Sequence, residues 1–253
     1  MEKLFLAIWR LLVFISISLT FIYIILRIYK VADFLLVKQQ KKNSKIIAAI
    51  FFSILIMATS KYPLNLVAGS AIVNVRDSIA IFASIIAGPI VGIVVGLVGG
   101  IYRISLGGWT ALPCGLAVIS ISIIAAYLTK YKNYRIGEMT KRKILNISIL
   151  IFVWEIMHTM VYCTLLGAKP FPEAFMLMAR NFVIPMVVTN VIAITMFLLI
   201  SRDAVIRANN MEKVKNYTKE LEEKVQERTF NLDKEFQTSE QQRIATLNIF
   251  NDL

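Results

Sequence analysis

Residues 74–115 read NVRDSIAIFASIIAGPIVGIVVGLVGGIYRISLGGWTALPCG. Two apolar runs, 78–87 and 90–102, meet at Gly88-Pro89. Pro89 suits the first turn of a helix, where its missing N–H costs little. Gly88, Gly92, Gly96 and Gly100 recur every four residues, and Gly99 widens the set. On a helix that spacing makes a smooth stripe along which another backbone approaches closely. The stretch nevertheless opens with Asn74, Arg76 and Asp77, and its glycine helix ends at Arg103. A charge at membrane depth is expensive unless it pairs or faces a wet cavity, so it marks a candidate site.

Further apolar runs flank this centre at 4–26, 46–59, 111–129, 144–167 and 182–201. The chain has 253 residues, 57% hydrophobic and 17% charged, with a mean hydropathy of +0.68. An ordinary soluble domain is nearer half apolar and a quarter charged, and a disordered chain needs few apolar residues. Both classes are excluded. Runs of about 18 apolar residues or more read as membrane spans. The run at 4–26 is longer than a signal-peptide core and lacks a small-residue cleavage site, so it reads as a retained helix. The expected fold is all-α: a polytopic membrane bundle of six to seven segments, some short, then a cytoplasmic coiled-coil helix. The domains would be 1–201 and 202–253.

The formal charge is +12. Residues 1–201 hold 19 Lys/Arg against 6 Asp/Glu, and residues 202–253 hold 9 against 10. The excess therefore belongs to the apolar part, where it orients loops; no nucleic-acid partner is expected. The stretches 27–45 and 130–143 carry six Lys/Arg each and belong in the cytoplasm by the positive-inside rule. Seven segments with an external N-terminus satisfy that rule. Six segments, with 78–102 as one helix broken at Gly88-Pro89, would put 27–45 outside.

Two readings of the central charges stay open. Arg76 and Asp77 pair with each other and Arg103 snorkels to the interface, or the two guanidinium groups share a cavity. An Arg fork suits a carboxylate. Asn74, Asp77, Thr110 and Cys114 would then orient a ligand. A second polar set comprises Glu155 and His158, three apart on one helix face, with Arg180 at the start of the last span. His158 is either an internal partner of Glu155 or a source of pH sensitivity. Cys114 and Cys163 lie in apolar surroundings without disulfide or metal-ligand spacing. No metal, cofactor or catalytic residue is expected.

From residue 202 the composition becomes charged, without proline or glycine. Met211, Val214, Leu221, Val225 and Leu232 fit a heptad with Thr218 at one core position. Arg228 and Glu235 occupy later core positions and Phe236 falls out of register, which predicts a phase break. Two such helices side by side would make a homodimer.

The ordered set Asn74, Arg76, Ala87, Gly88, Pro89, Gly92, Gly96, Gly100, Arg103, Gly107, Gly108, Thr110 and Ala111 resembles the LytS/YhcK-type five-transmembrane receptor region of bacterial sensor proteins. The resemblance covers roughly residues 5–200, and its specific part about 40 residues. It implies a multi-pass input domain in the bacterial cytoplasmic membrane, with a cytoplasmic C-terminus. A histidine kinase, a diguanylate cyclase or a response regulator would act downstream. It also implies a small carboxylate ligand such as pyruvate on Arg76, Arg103 and Cys114. Ala117 stands where a serine can occur. The chain contains no H-box histidine, no ATP-binding glycine motif and no GGDEF sequence. It is therefore expected to be no enzyme itself, and either the input part of a longer sensor or a partner-dependent protein. The alternatives are a transporter or substrate-binding subunit for a small organic anion, which leaves the charged helix idle, and a structural anchor.

Overall fold

The computed structural model describes residues 16, 42–61, 64–65 and 72–251. The expected helix at 4–26 and most of the basic stretch at 27–45 lie outside the described residues. The chain divides into two compact units, Met1–Val205 and Ile206–Leu253. The first is an all-α polytopic bundle. Among the described residues four helices are long and apolar enough to cross a membrane, within Asn43–Ser60, Ala111–Tyr131, Lys141–Leu165 and Phe171–Ala245.

The order begins with α1 (Lys42–Lys61), then two short antiparallel strands, β1 (Leu64–Asn65) and β2 (Ile72–Val73), with Leu64 opposite Val73. Next come α2 (Arg76–Ala87), α3 (Pro89–Ser105) and α4 (Ala111–Tyr131). After a 3₁₀ turn follows α5 (Lys141–Met157), where the Thr140 hydroxyl caps the helix by accepting from the Lys143 N–H at 3.2 Å. A π-helical turn (His158–Tyr162) joins α5 to the short α6 (Cys163–Leu165). The last run is α7 (Phe171–Leu177), a second π turn (Met178–Phe182) and α8 (Val183–Asn251).

The apolar runs on either side of Gly88 are separate helices that fold back on each other. Gly88 adopts φ +99°, a left-handed conformation open to glycine, and its N–H closes α2 on the Ser84 carbonyl at 3.0 Å. Pro89 then starts α3. The fold-back is tight: a Cβ on Gly92 would lie 2.4 Å from the Ser84 Cβ. The short segment expected among the central runs is α2. Its twelve residues are all buried, and about 18 Å of helix is shorter than a hydrocarbon core of roughly 30 Å. It is an internal helix, shielded from lipid by its neighbours.

Farther along, the glycine stripe of α3 faces two more helices. Gly99 meets Ile56 of α1, Gly96 meets Ser122 of α4, and Gly100 meets Ile119 and the Gly115 carbonyl of α4. The opposite face presents Ile90, Leu97 and Ile101, all exposed, as lipid-facing residues do. The core is aliphatic around Ile79, Ile81, Ile85, Ile121, Ile147 and Ile151, with Phe52, Phe82 and Phe197 packed ring to ring.

The expectation that the last span begins near residue 182 is also corrected. Helical backbone starts at Phe171, and Pro170 precedes it in an extended conformation suited to helix entry. The second unit is helical throughout its described length. Its surface carries ion pairs one turn apart; Lys224 donates to Glu220 at 2.6 Å and holds that carboxyl below its ordinary range. Met211, Val214, Leu221, Val225 and Leu232 are all exposed in the single chain.

Candidate functional site

α2 brings its polar N-terminus into the bundle rather than out to solvent. Asn74 Oδ1 accepts from both the backbone N–H and Nε of Arg76, at 3.0 and 2.8 Å. Arg76 Nη1 donates to Ser60 Oγ of α1 at 3.4 Å. Arg76 is 0% exposed, and its Nη2 has no hydrogen-bond partner among the described residues. A buried guanidinium N–H without an acceptor is costly and calls for an explanation.

Arg103 lies in the last turn of α3 and is likewise 0% exposed, so it does not snorkel. Nη1 donates to the Gly107 carbonyl at 2.7 Å and Nη2 to Thr110 Oγ1 at 2.8 Å. Gly107, at φ +70°, lets the loop curl back under the side chain. Thr110 precedes α4 as its N-cap residue without capping it, because the hydroxyl serves Arg103 instead. Arg103 Nε is left without a partner among the described residues.

Asp77 turns away from Arg76. Its Oδ2 accepts from Trp154 Nε1 at 3.0 Å and lies 3.2 Å from His158 Nδ1. The same ring nitrogen lies 3.4 Å from Glu155 Oε2. Both contacts are at ion-pair distance without hydrogen-bond alignment, so the imidazole sits between two carboxylates. All three residues are buried. Beside them, Cys114 Sγ of α4 lies 3.8 Å from Cys163 Sγ of α6. Arg76 is within electrostatic reach of Arg103, Cys114, Asp77 and Glu155. Glu155 and His158, which the sequence kept apart from Arg76 and Asp77, thus join them in one cluster.

A pocket opens onto this cluster. Its lining is Thr110, Cys114, His158, Thr159, Cys163, Met178, Phe182 and Met186. The two π turns pack against each other and contribute four of these residues. A π turn widens the helix and re-aims its side chains, and such turns recur at functional sites. Neither guanidinium lines the pocket; Arg103 stands behind Thr110. Arg180 is exposed within the second π turn, whereas Glu155 and His158 are buried.

Sequence reasoning missed Asn190 and Ser78. Asn190 Nδ2 donates to the Asn74 carbonyl at 2.9 Å, and Ser78 Oγ donates to Asn190 Oδ1 at 2.7 Å. These bonds tie α8 to the start of α2. An asparagine inside an apolar span was the available signal. Trp154 carried no such signal, because an apolar run hides an indole N–H. The grouping of Cys114 with Cys163 also has no counterpart in the spacing of 49 residues.

A family model described as 5TMR of 5TMR-LYT matches residues 28–204. The chain is similar to the sensor histidine kinase BtsS of Escherichia coli K12, 29% identical over 162 residues. That match covers 63% of this chain and 28% of the relative. BtsS of Shigella flexneri matches with the same values. The chain thus corresponds to less than a third of the length of these curated relatives. No solved structure matches.

Proposed function

The chain belongs to the 5TMR of 5TMR-LYT family, and from that premise we propose that it is the membrane input region of a two-component sensor of the histidine kinase type. It binds a small carboxylate, pyruvate-like in size, beside Arg76 and Arg103. One observation carries this reading. Two guanidinium groups are fully buried, and each keeps one nitrogen, Arg76 Nη2 and Arg103 Nε, without a hydrogen-bond partner among the described residues. A carboxylate is the acceptor that a planar cationic fork suits best. Thr110, Cys114 and His158 line the adjoining pocket and would fix its orientation.

Transmission runs through Asn190, which links the Arg76 end of α2 to α8. The ligand moves α8 by binding one packing of this junction more tightly than the other. The second unit passes the shift on as a parallel coiled coil in a homodimer, with a cytoplasmic C-terminus and a kinase, cyclase or response regulator downstream. The exposed heptad residues support that pairing, since an unpartnered apolar stripe favours association.

The test is calorimetry on the purified chain in nanodiscs, titrated with pyruvate and with acetate as the comparison. A charge-assisted hydrogen bond contributes about 1.5–3 kcal/mol, so Arg103→Ala should weaken pyruvate binding by about 10- to 150-fold. Unaltered affinity in both Arg103→Ala and Arg76→Ala defeats the proposal. Uptake of labelled pyruvate by proteoliposomes would replace the receptor reading with a transporter.

A further inference from the structure

We propose that Cys114, Cys163 and His158 form a binding site for a thiophilic closed-shell cation, Zn(II) or Cu(I), inside the bundle. The ligand atoms of the three residues lie within 4.8 Å of one another, and all three residues are buried. The two sulfurs are 3.8 Å apart. Two thiolates bound tetrahedrally to one zinc, at about 2.3 Å each, stand about 3.8 Å apart as well. The sulfur spacing is therefore already that of two thiolates on one ion.

The imidazole is set up as a ligand. A metal-bound histidine usually hands its second ring N–H to a carboxylate, which fixes the tautomer and the ring plane. Here Asp77 lies 3.2 Å and Glu155 3.4 Å from Nδ1. That leaves Nε2, which has no partner among the described residues, to face the ion. Asp77 is the positioning residue, itself held by Trp154.

Three protein ligands and a pocket make an open site rather than a closed structural one. Met178 and Met186 stand on the pocket wall, and thioether sulfur is a further soft donor that favours Cu(I). Charge is balanced for either ion. Two thiolates neutralise Zn(II); with Cu(I) they leave one negative charge, within reach of Arg76. The two thiol protons leave to solvent on binding. Asp77, Glu155 and His158 also form a ligand-sized group, but through harder oxygen donors. Cys114 and His158 also line the pocket assigned to the carboxylate, so the two ligands share that wall, but the donor set argues for the ion whether or not a carboxylate binds.

The full chain in detergent, reduced and stripped of metal, is titrated with Co(II). One equivalent should bind with an intense near-ultraviolet thiolate-to-cobalt charge-transfer band, displaced by Zn(II) or by Cu(I). The tighter displacer identifies the preferred ion. Cys114→Ser and Cys163→Ser should each abolish the band, while Asp77→Asn keeps it and lowers affinity about 10- to 100-fold. If a serine variant does not fold, the wild-type titration decides alone. Three outcomes overturn the proposal: no band in folded wild-type protein, cobalt binding without charge transfer (an oxygen site at Asp77 and Glu155), or a band that survives both cysteine substitutions.

Discussion

Replacing Gly100 with alanine tests the central packing. A Cβ there would lie 2.7 Å from the Gly115 carbonyl oxygen and 2.6 Å from Ile119 Cγ1. Ile119 can change rotamer, but the carbonyl belongs to the α4 ladder and cannot step aside. Ordinary contact begins at 3.4 Å, so α3 and α4 must separate by about 0.7 Å at this level. Overpacking of this kind costs about 1–3 kcal/mol. For a unit of some 200 residues, each kcal/mol lowers Tm by about 2–4 °C, so Gly100→Ala should fall by about 2–12 °C. The Arg103–Thr110 bond lies one turn farther along the same seam, and pyruvate affinity should drop with it. Gly115→Ala strikes the same contact from the other side, where a Cβ would lie 2.8 Å from the Gly100 carbonyl. Once the helices have parted the second methyl adds little, so the double variant should lose clearly less than the sum. Gly137→Ala, with nothing within 4 Å of its Cβ, is the control. Thermal unfolding followed by tryptophan fluorescence reads all four proteins. Gly100→Ala unfolding together with Gly137→Ala, or fully additive losses in the double variant, would refute the close-packed seam.

Gly96→Ala should be destabilised by a comparable amount, because its Cβ would meet the Ser122 Cβ at 2.3 Å; adding Ser122→Gly should restore most of the lost Tm, and no rescue would contradict the contact. Asn190→Ala removes the Nδ2 donor from the Asn74 carbonyl, while the Ser78 hydroxyl keeps the backbone carbonyl of residue 190 at 2.9 Å; losing the one buried bond should cost about 0.5–1.5 kcal/mol, hydrogen exchange at the start of α2 should rise, and unchanged protection there would argue against the junction. Trp154→Phe removes one donor from Asp77 and should destabilise the first unit by about 1–3 kcal/mol; a Tm equal to wild type would mean that water replaces the indole without loss. Leu221→Lys puts a charge into the heptad stripe and should shift the full chain from dimer to monomer in light scattering, whereas an unshifted mass would remove the coiled-coil proposal.

Much of the bundle was legible in one dimension because bilayer burial acts on each helix separately. Run length, the Gly88-Pro89 break, the four-residue glycine spacing and the charges at 76, 77 and 103 announce membrane helices and an intramembrane polar centre. Family likeness added the ordered pattern and the carboxylate expectation. Partner choice was not legible. Asp77 adjoins Arg76 in sequence yet turns to Trp154 and His158, because the reversal at Gly88 and the rotation of α2 decide which helix its face meets. Pairs of residues such as Cys114–Cys163 and Asn74–Asn190 are joined across 49 and 116 positions by helix register alone. The π turns that widen α5 and the last run are likewise tertiary: no residue type dictates them, and they pack against each other in the folded bundle. The sequence by itself therefore determined where the membrane helices lie and which polar groups they carry inward. Only the tertiary structure decided which of those groups face one another, because hydrophobic burial is non-directional while hydrogen bonds and ion pairs depend on ångström-scale register between helices.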